Sequence, residues 1–114
     1  MIYRSPHPPV TIPDVSLADF ILERTAHHGD KPALIDGISG RIYTFAEFAD
    51  RVGRVAAGLD EAGFRAGDVL GFLAPNSPEY GILFLAASSL GGVNTTINPL
   101  ATPDDITRQL ADSG

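Results

Sequence analysis

Asp68-Val69-Leu70-Gly71-Phe72-Leu73-Ala74-Pro75-Asn76-Ser77-Pro78-Glu79, then an apolar run to Leu90 and Gly91-Gly92-Val93-Asn94-Thr95-Thr96-Ile97, is the stretch that decides the fold. Residues 69–74 form a short continuous apolar run, the pattern of a strand covered on both faces. Pro75-Asn76-Ser77-Pro78 interrupts it. Ser77 is placed to cap a helix, and Pro78 suits the first turn, where its missing N–H leaves nothing unpaired. The helix expected over residues 79–90 is apolar nearly all round (Ile82, Leu83, Phe84, Leu85, Ala86, Ala87, Leu90), so it needs cover on most sides. Gly91-Gly92 ends it, and Val93–Ile97 reads as a second strand. The connection is long enough for a parallel βαβ crossover, which is expected to be right-handed.

Working outward, the segment before this unit carries the clearest helical period. Phe45, Phe48, Val52, Val55, Ala56, Leu59 and Ala62 recur at spacings of three and four, while Asp50, Arg51, Arg54 and Asp60 fall largely off the stripe. Thr44-Phe45-Ala46-Glu47 is a capping box, and Gly63 is placed as the C′ residue. Residues 33–36 and 41–44 read as two arms of a hairpin around Gly37-Ile38-Ser39-Gly40. Before them, Ser16 and Asp19 frame a helix start whose stripe begins Leu17, Phe20, Ile21, with Gly29 closing it. Residues 1–13 hold Pro6, Pro8, Pro9 and Pro13 and are expected to be an extended arm lying on the rest. After the second strand, Asn98-Pro99-Leu100 is a turn. Thr102-Pro103-Asp104-Asp105 then opens a helix running through Ile106 and Leu110 to about residue 111. Asp112-Ser113-Gly114 places a glycine after that helix with no element following, so the chain is expected to be cut rather than finished.

The totals narrow the function classes. The 114 residues suffice for one small domain. Cysteine is absent, which removes disulfides, thiolate metal sites and a cysteine nucleophile, and suits a cytoplasmic setting. The net charge is −6, with eight basic residues scattered rather than striped, against a nucleic-acid footprint. No charged residue occurs over residues 80–103, yet Gly91-Gly92, Asn94-Thr95-Thr96 and Asn98-Pro99 break that run. About a dozen apolar helical positions remain, short of the roughly 20 a membrane span requires.

The sequence shows no phosphate-binding glycine loop followed by Lys-Ser/Thr, no G-x-G-x-x-G after a strand and no G-x-S-x-G elbow. Three features invite chemistry and have a structural explanation beside them. His27-His28 suggest metal ligands, but neighbours on a helix point about 100° apart, and they read as exposed residues favoured near a helix C-terminus. Asp104-Asp105 fit as first-turn acids. Asn76-Ser77-Pro78 opens a helix N-terminus that could hold an anion, but a Ser77 cap would occupy it.

Four segments in order resemble the adenylate-forming superfamily of acyl-CoA ligases, peptide-synthetase adenylation domains and beetle luciferases. Gly29-Asp30-Lys31-Pro32-Ala33-Leu34 resembles its opening strand, and Tyr43-Thr44-Phe45-Ala46-Glu47-Phe48 its first core motif, L-T-Y-x-E-L. Gly67-Asp68-Val69-Leu70 with Pro75-Asn76-Ser77-Pro78-Glu79 is similar to its next strand and turn. Leu90-Gly91-Gly92-Val93-Asn94-Thr95 through Asn98-Pro99 is similar to its second core motif. Tyr3-Arg4-Ser5-Pro6 and Asn76-Ser77-Pro78-Glu79 look most like 4-coumarate–CoA ligases and their bacterial relatives.

The resemblance implies an α/β fold, the βαβ-containing N-terminal portion of an acyl-CoA-ligase-type large domain. It would comprise an arm (1–15), a helix–hairpin–helix segment (16–62) and a βαβ unit plus helix (67–114). For the parent enzyme it implies ATP, Mg²⁺ and CoA: a carboxylate attacks ATP to give an acyl-adenylate and pyrophosphate, and the CoA thiol then displaces AMP. The family's phosphate loop, Mg²⁺-associated acid, ribose-binding aspartate and catalytic lysine would all lie beyond Gly114. No residue of this chain is therefore assigned a catalytic, cofactor-binding or metal-binding role, and the chain alone is expected to be inert. The expected partner is the remainder of a ligase polypeptide. Self-association through uncovered apolar surface is the other expectation, and Phe84 is expected in the buried core. The competing readings are a non-catalytic α/β association module, such as one half of a split enzyme, and an independent small nucleotide-binding domain.

Overall fold

The computed structural model describes residues 5–114, so Tyr3 and Arg4 of the opening motif lie outside the described residues. Residues 5–13 form neither helix nor strand and are exposed throughout. The elements that follow are α1 (Leu17–Thr25), a 3-10 turn (Ala26–His28), β1 (Pro32–Ile35), β2 (Ile42–Thr44), α2 (Phe45–Glu61), β3 (Val69–Leu73), α3 (Pro78–Ser89), β4 (Val93–Ile97) and α4 (Pro103–Ser113).

The two strand pairs are separate. β1 and β2 form the antiparallel hairpin, with Leu34 opposite Tyr43 and Ile35 opposite Ile42. β3 and β4 are parallel, in unbroken register from Val69 opposite Val93 to Leu73 opposite Ile97. The βαβ unit is thus as expected, with α3 as the crossover.

The helices start where side chains satisfy their first N–H groups. Thr44 Oγ1 accepts from Glu47 N–H at 3.2 Å, and the Glu47 carboxylate accepts from Thr44 N–H at 2.9 Å, the reciprocal capping box. At α1, Ser16 Oγ accepts from Asp19 N–H at 3.0 Å, and the shorter aspartate takes the Ser16 hydroxyl itself at 2.7 Å. Thr102 caps α4, accepting from Asp105 N–H at 3.3 Å. Gly63, at φ 96, supplies the left-handed turn after α2.

The core lies where α1, α2 and α3 meet: Ala18, Phe48, Val52, Ile82, Leu85 and Ala86. Ala18 and Ala86 are both fully buried, and side chains this small let helices pack closely. On α3 the inward stripe is Pro78, Ile82, Leu85, Ala86, the spacing of one helix face.

Three expectations, on Phe84, Ser77 and His28, are corrected. Phe84 is partly buried at the margin of the core rather than within it, because it lies on the side of α3 turned away from the inward stripe. On β3 the outer face is left open, in keeping with the expected uncovered apolar surface: Phe72 is buried edge-on to Tyr80, at 4.7 Å between ring centres, but Leu73 is 50% exposed. α4 reaches only the middle of that outer face, where Leu110 Cδ2 would lie 2.7 Å from a Cβ at Gly71. Ser77 has the extended backbone of an N-cap but its hydroxyl makes no capping bond to the helix. His28 is half-buried rather than exposed, because the chain tightens into the 3-10 turn and lays its ring against Phe45.

Candidate functional site

One polar arrangement outside the caps joins the hairpin to α2 and α3. Tyr43 on β2 is buried, and an aromatic ring with a polar tip needs a partner for its hydroxyl when buried. Its Oη donates to Glu79 Oε1 at 3.1 Å, and Arg41 Nη2 donates to the same oxygen. The Arg41 and Arg51 guanidinium carbons lie 4.9 and 4.6 Å from the centre of the Tyr43 ring, within cation–π range. Glu79 stands in the first turn of α3, where the helix dipole favours an acid. The hydrogen bond from its own backbone N–H holds its carboxyl below the usual 4.5, helped by Ser77, the Tyr43 hydroxyl and Arg41. Burial pushes the Tyr43 phenol above its usual 10, and the hydrogen bond to Glu79 adds to this.

Beside this cluster an open groove of about 520 Å³ runs between α2 and α3, lined by Arg51, Arg54, Val55, Glu79, Ile82 and Leu83. Its floor is apolar and its rim carries guanidinium groups. A smaller hollow of about 330 Å³ lies between the hairpin turn and the start of α3, at Asp36, Gly37, Ile38, Asn76, Ser77 and Pro78. Neither lining contains a histidine, cysteine or lysine, and neither pairs a nucleophile with a base.

The features flagged in the sequence fall as follows. The N-terminus of α3 receives this chain's own Glu79 in its first turn, in place of the expected serine cap. His27 and His28 lie ring to ring at 3.9 Å, but among the described residues no three His, Asp or Glu side chains converge as metal ligands. Asp105 serves the Thr102 cap and lies 3.5 Å from Arg108, while Asp104 is exposed in the same first turn. The Arg41–Tyr43–Glu79 cluster was missed by sequence reasoning. Its partners are 36 and 38 positions apart, and the available signal was a tyrosine in a half-buried strand, which has to find a hydroxyl partner somewhere.

The sequence profile of the AMP-binding enzymes matches residues 21–114. Among curated proteins the chain is 44% identical over 114 residues to 4-coumarate–CoA ligase 5 of Oryza sativa subsp. japonica, covering 99% of this chain and 21% of that one. It is 42% identical over 113 residues to 4-coumarate–CoA ligase 4 of Arabidopsis thaliana, covering 95% and 20%. It therefore spans about a fifth of the length of these relatives. Among solved structures, the N-terminal subdomain of Klebsiella oxytoca NpsA in complex with 3-hydroxyanthranilyl-AMSN superposes with a TM-score of 0.82 at 27% identity, over 87% of this chain and 25% of that one. The luciferase-like enzyme of the mealworm Zophobas morio superposes with a TM-score of 0.79 at 28% identity, over 86% and 24%. With the profile covering most of its length, the chain belongs to the AMP-binding enzyme family, and its α/β fold is that of part of the N-terminal subdomain of adenylate-forming enzymes.

Proposed function

We propose that this chain is the N-terminal part of an ATP-dependent acid–CoA ligase of the 4-coumarate–CoA ligase type, comprising the arm, the helix–hairpin–helix segment and the βαβ unit with α4. The parent reaction joins a carboxylate to ATP with release of pyrophosphate, and the thiol of CoA then displaces AMP from the acyl-adenylate. The 44% identity to the rice ligase along 99% of the chain carries this reading. The fold supports it as well, since the NpsA N-terminal subdomain, solved in complex with 3-hydroxyanthranilyl-AMSN, shares this architecture over 25% of its own length.

On this reading nucleotide and Mg²⁺ are held chiefly by residues outside this chain. Adenylyl transfer needs cationic and metal groups aimed at the phosphates. Here the Glu79 carboxylate accepts from Arg41 and Tyr43, and no three ligating side chains converge among the described residues. The reading therefore places catalytic, ATP-binding and metal-binding residues outside these 114 and gives this chain a structural share in the enzyme. It also implies a cytoplasmic enzyme; no helix among the described residues is long and apolar enough to cross a membrane.

A chimera tests the assignment. The corresponding N-terminal fifth of the rice ligase is replaced by this chain, and pyrophosphate release and thioester formation are followed with 4-coumarate, ATP, Mg²⁺ and CoA. Turnover is expected from the chimera and none from the isolated chain. A folded but inactive chimera would refute the assignment. Pyrophosphate release by the isolated chain that survives repurification would refute the division of labour.

A further inference from the structure

His28 sits at the corner where the α1 segment meets α2. The 3-10 turn ends at Gly29, whose φ of 43 turns the chain sharply. One backbone bond then closes the corner on itself, and two stitch it to the first turn of α2. Lys31 N–H donates to His28 O at 2.9 Å, Phe45 N–H to Lys31 O at 3.0 Å and Ala46 N–H to Gly29 O at 3.0 Å. The His28 ring lies tilted against Phe45, 5.0 Å between centres, and against His27 at 3.9 Å. Its Nδ1 is shut off from solvent and has no hydrogen-bond partner.

The charges that bear on the His28 ring disfavour an imidazolium, and the acid nearest along the chain, Asp30, is exposed. His27 and Lys31, the ionisable groups that bear on the ring, are both basic. Arg24, in the last turn of α1, is drawn over the Phe20 ring, 4.3 Å from its centre. From α2 the ring meets Phe45 at the positive end of the helix dipole. The acid of that turn, Glu47, is committed to the Thr44 N–H. A neutral ring leaves one acceptor unpaired. A protonated ring would bury a charge and an N–H donor that nothing present can accept.

We propose that this corner is a proton-sensitive joint: protonation of His28 at Nδ1 drives the ring off Phe45 and loosens the backbone bonds that hold the α1 segment to α2. The proton comes from solvent, and no covalent bond changes. Burial, then His27, then Lys31 hold the His28 ring below the ordinary value of 6.5. The unfolded chain therefore binds a proton at this site before the folded chain does. Stability is undiminished above pH 6.5 and falls as pH drops from 6.5 toward the folded value, where the loss levels off.

Heteronuclear NMR of the histidine side chains, on the folded chain and in urea, measures the midpoint directly. Amide exchange corrected for intrinsic rate, from about pH 8 to about pH 5, reads the joint. The His28 midpoint is expected below 6.5 when folded and near it in urea. Phe45 and Ala46 amides are expected to lose protection several-fold across that midpoint, while Leu85 and Ala86 in α3 hold theirs. His28→Phe, which keeps the ring contact, should abolish the pH response, and His27→Gln should retain it. A folded midpoint at or above 6.5, unchanged protection at Phe45 and Ala46, or an undiminished response in His28→Phe would overturn the proposal.

Discussion

Truncating α3 one position at a time separates its buried face from its merely apolar one. Leu85 is buried in the three-helix core, whereas Leu83 is half-buried on the wall of the α2–α3 groove. Leu85→Ala removes the transfer free energy of a buried isobutyl group and leaves a cavity that three packed helices can only partly close. Such substitutions cost about 2–5 kcal/mol, and about 3 kcal/mol is expected here. For a domain of this size 1 kcal/mol corresponds to about 4 °C in Tm, so the drop should be about 12 °C. Leu83→Ala withdraws a side chain already touching solvent, with groove space beside it, and should cost about 1 kcal/mol. Urea unfolding followed by circular dichroism gives both values, with the denaturant slope unchanged because the same surface is exposed. Ile82→Asp, which buries a charge without a partner, should leave the chain unfolded. Equal losses for Leu83→Ala and Leu85→Ala, or a folded Ile82→Asp variant, would refute the assignment of the inward face.

Thr44→Ala removes a cap bonded in both directions and should cost about 1–2 kcal/mol in urea unfolding, whereas Ser77→Ala, which loses no capping bond, should cost clearly less. Glu79 has a depressed carboxyl, so its contribution to stability is present above the ordinary 4.5 and is lost as pH falls through the folded value. Glu79→Gln should flatten that part of the acid limb of a pH–stability profile, and an identical limb would count against the cluster as a tie between hairpin and helix. Leu73 is 50% and Val93 52% exposed on a two-stranded parallel sheet whose outer edges are unpaired among the described residues. The isolated chain is therefore expected to self-associate at micromolar concentration in analytical ultracentrifugation and to bind hydrophobic dye; a dye-negative monomer would contradict this.

What the sequence made legible was whatever is decided by neighbours along the chain. The α2 stripe, the Thr44–Glu47 box, the first-turn prolines Pro78 and Pro103 and the glycine at 63 are local signals, and each element stands within a residue or two of its expected place. The parallel pairing of β3 with β4 was legible for a related reason: the intervening segment is long enough for a crossover helix and too apolar for an exposed loop. What misled was uniformity. Since α3 is apolar all round, no period in it reveals which residues turn inward, and Phe84 could not be told from Leu85 until α1 and α2 were in place.

The same limit explains the polar cluster and the corner. Ser77 looked like the cap of α3 because serine before a proline is a local signature, yet the carboxylate in that first turn is Glu79, fixed there by Tyr43 and Arg41 from the hairpin. His28 looked exposed because histidines near a helix C-terminus usually are, but Phe45 comes over it once the hairpin brings α2 back beside α1. In both cases a contact from far along the chain overrode a local preference typically worth about 1 kcal/mol. Such preferences are smaller than the cost of a buried hydroxyl without a partner, roughly 1–3 kcal/mol. A buried Tyr43 on the strand between those two sites therefore constrains the packing more strongly than either cap signal does.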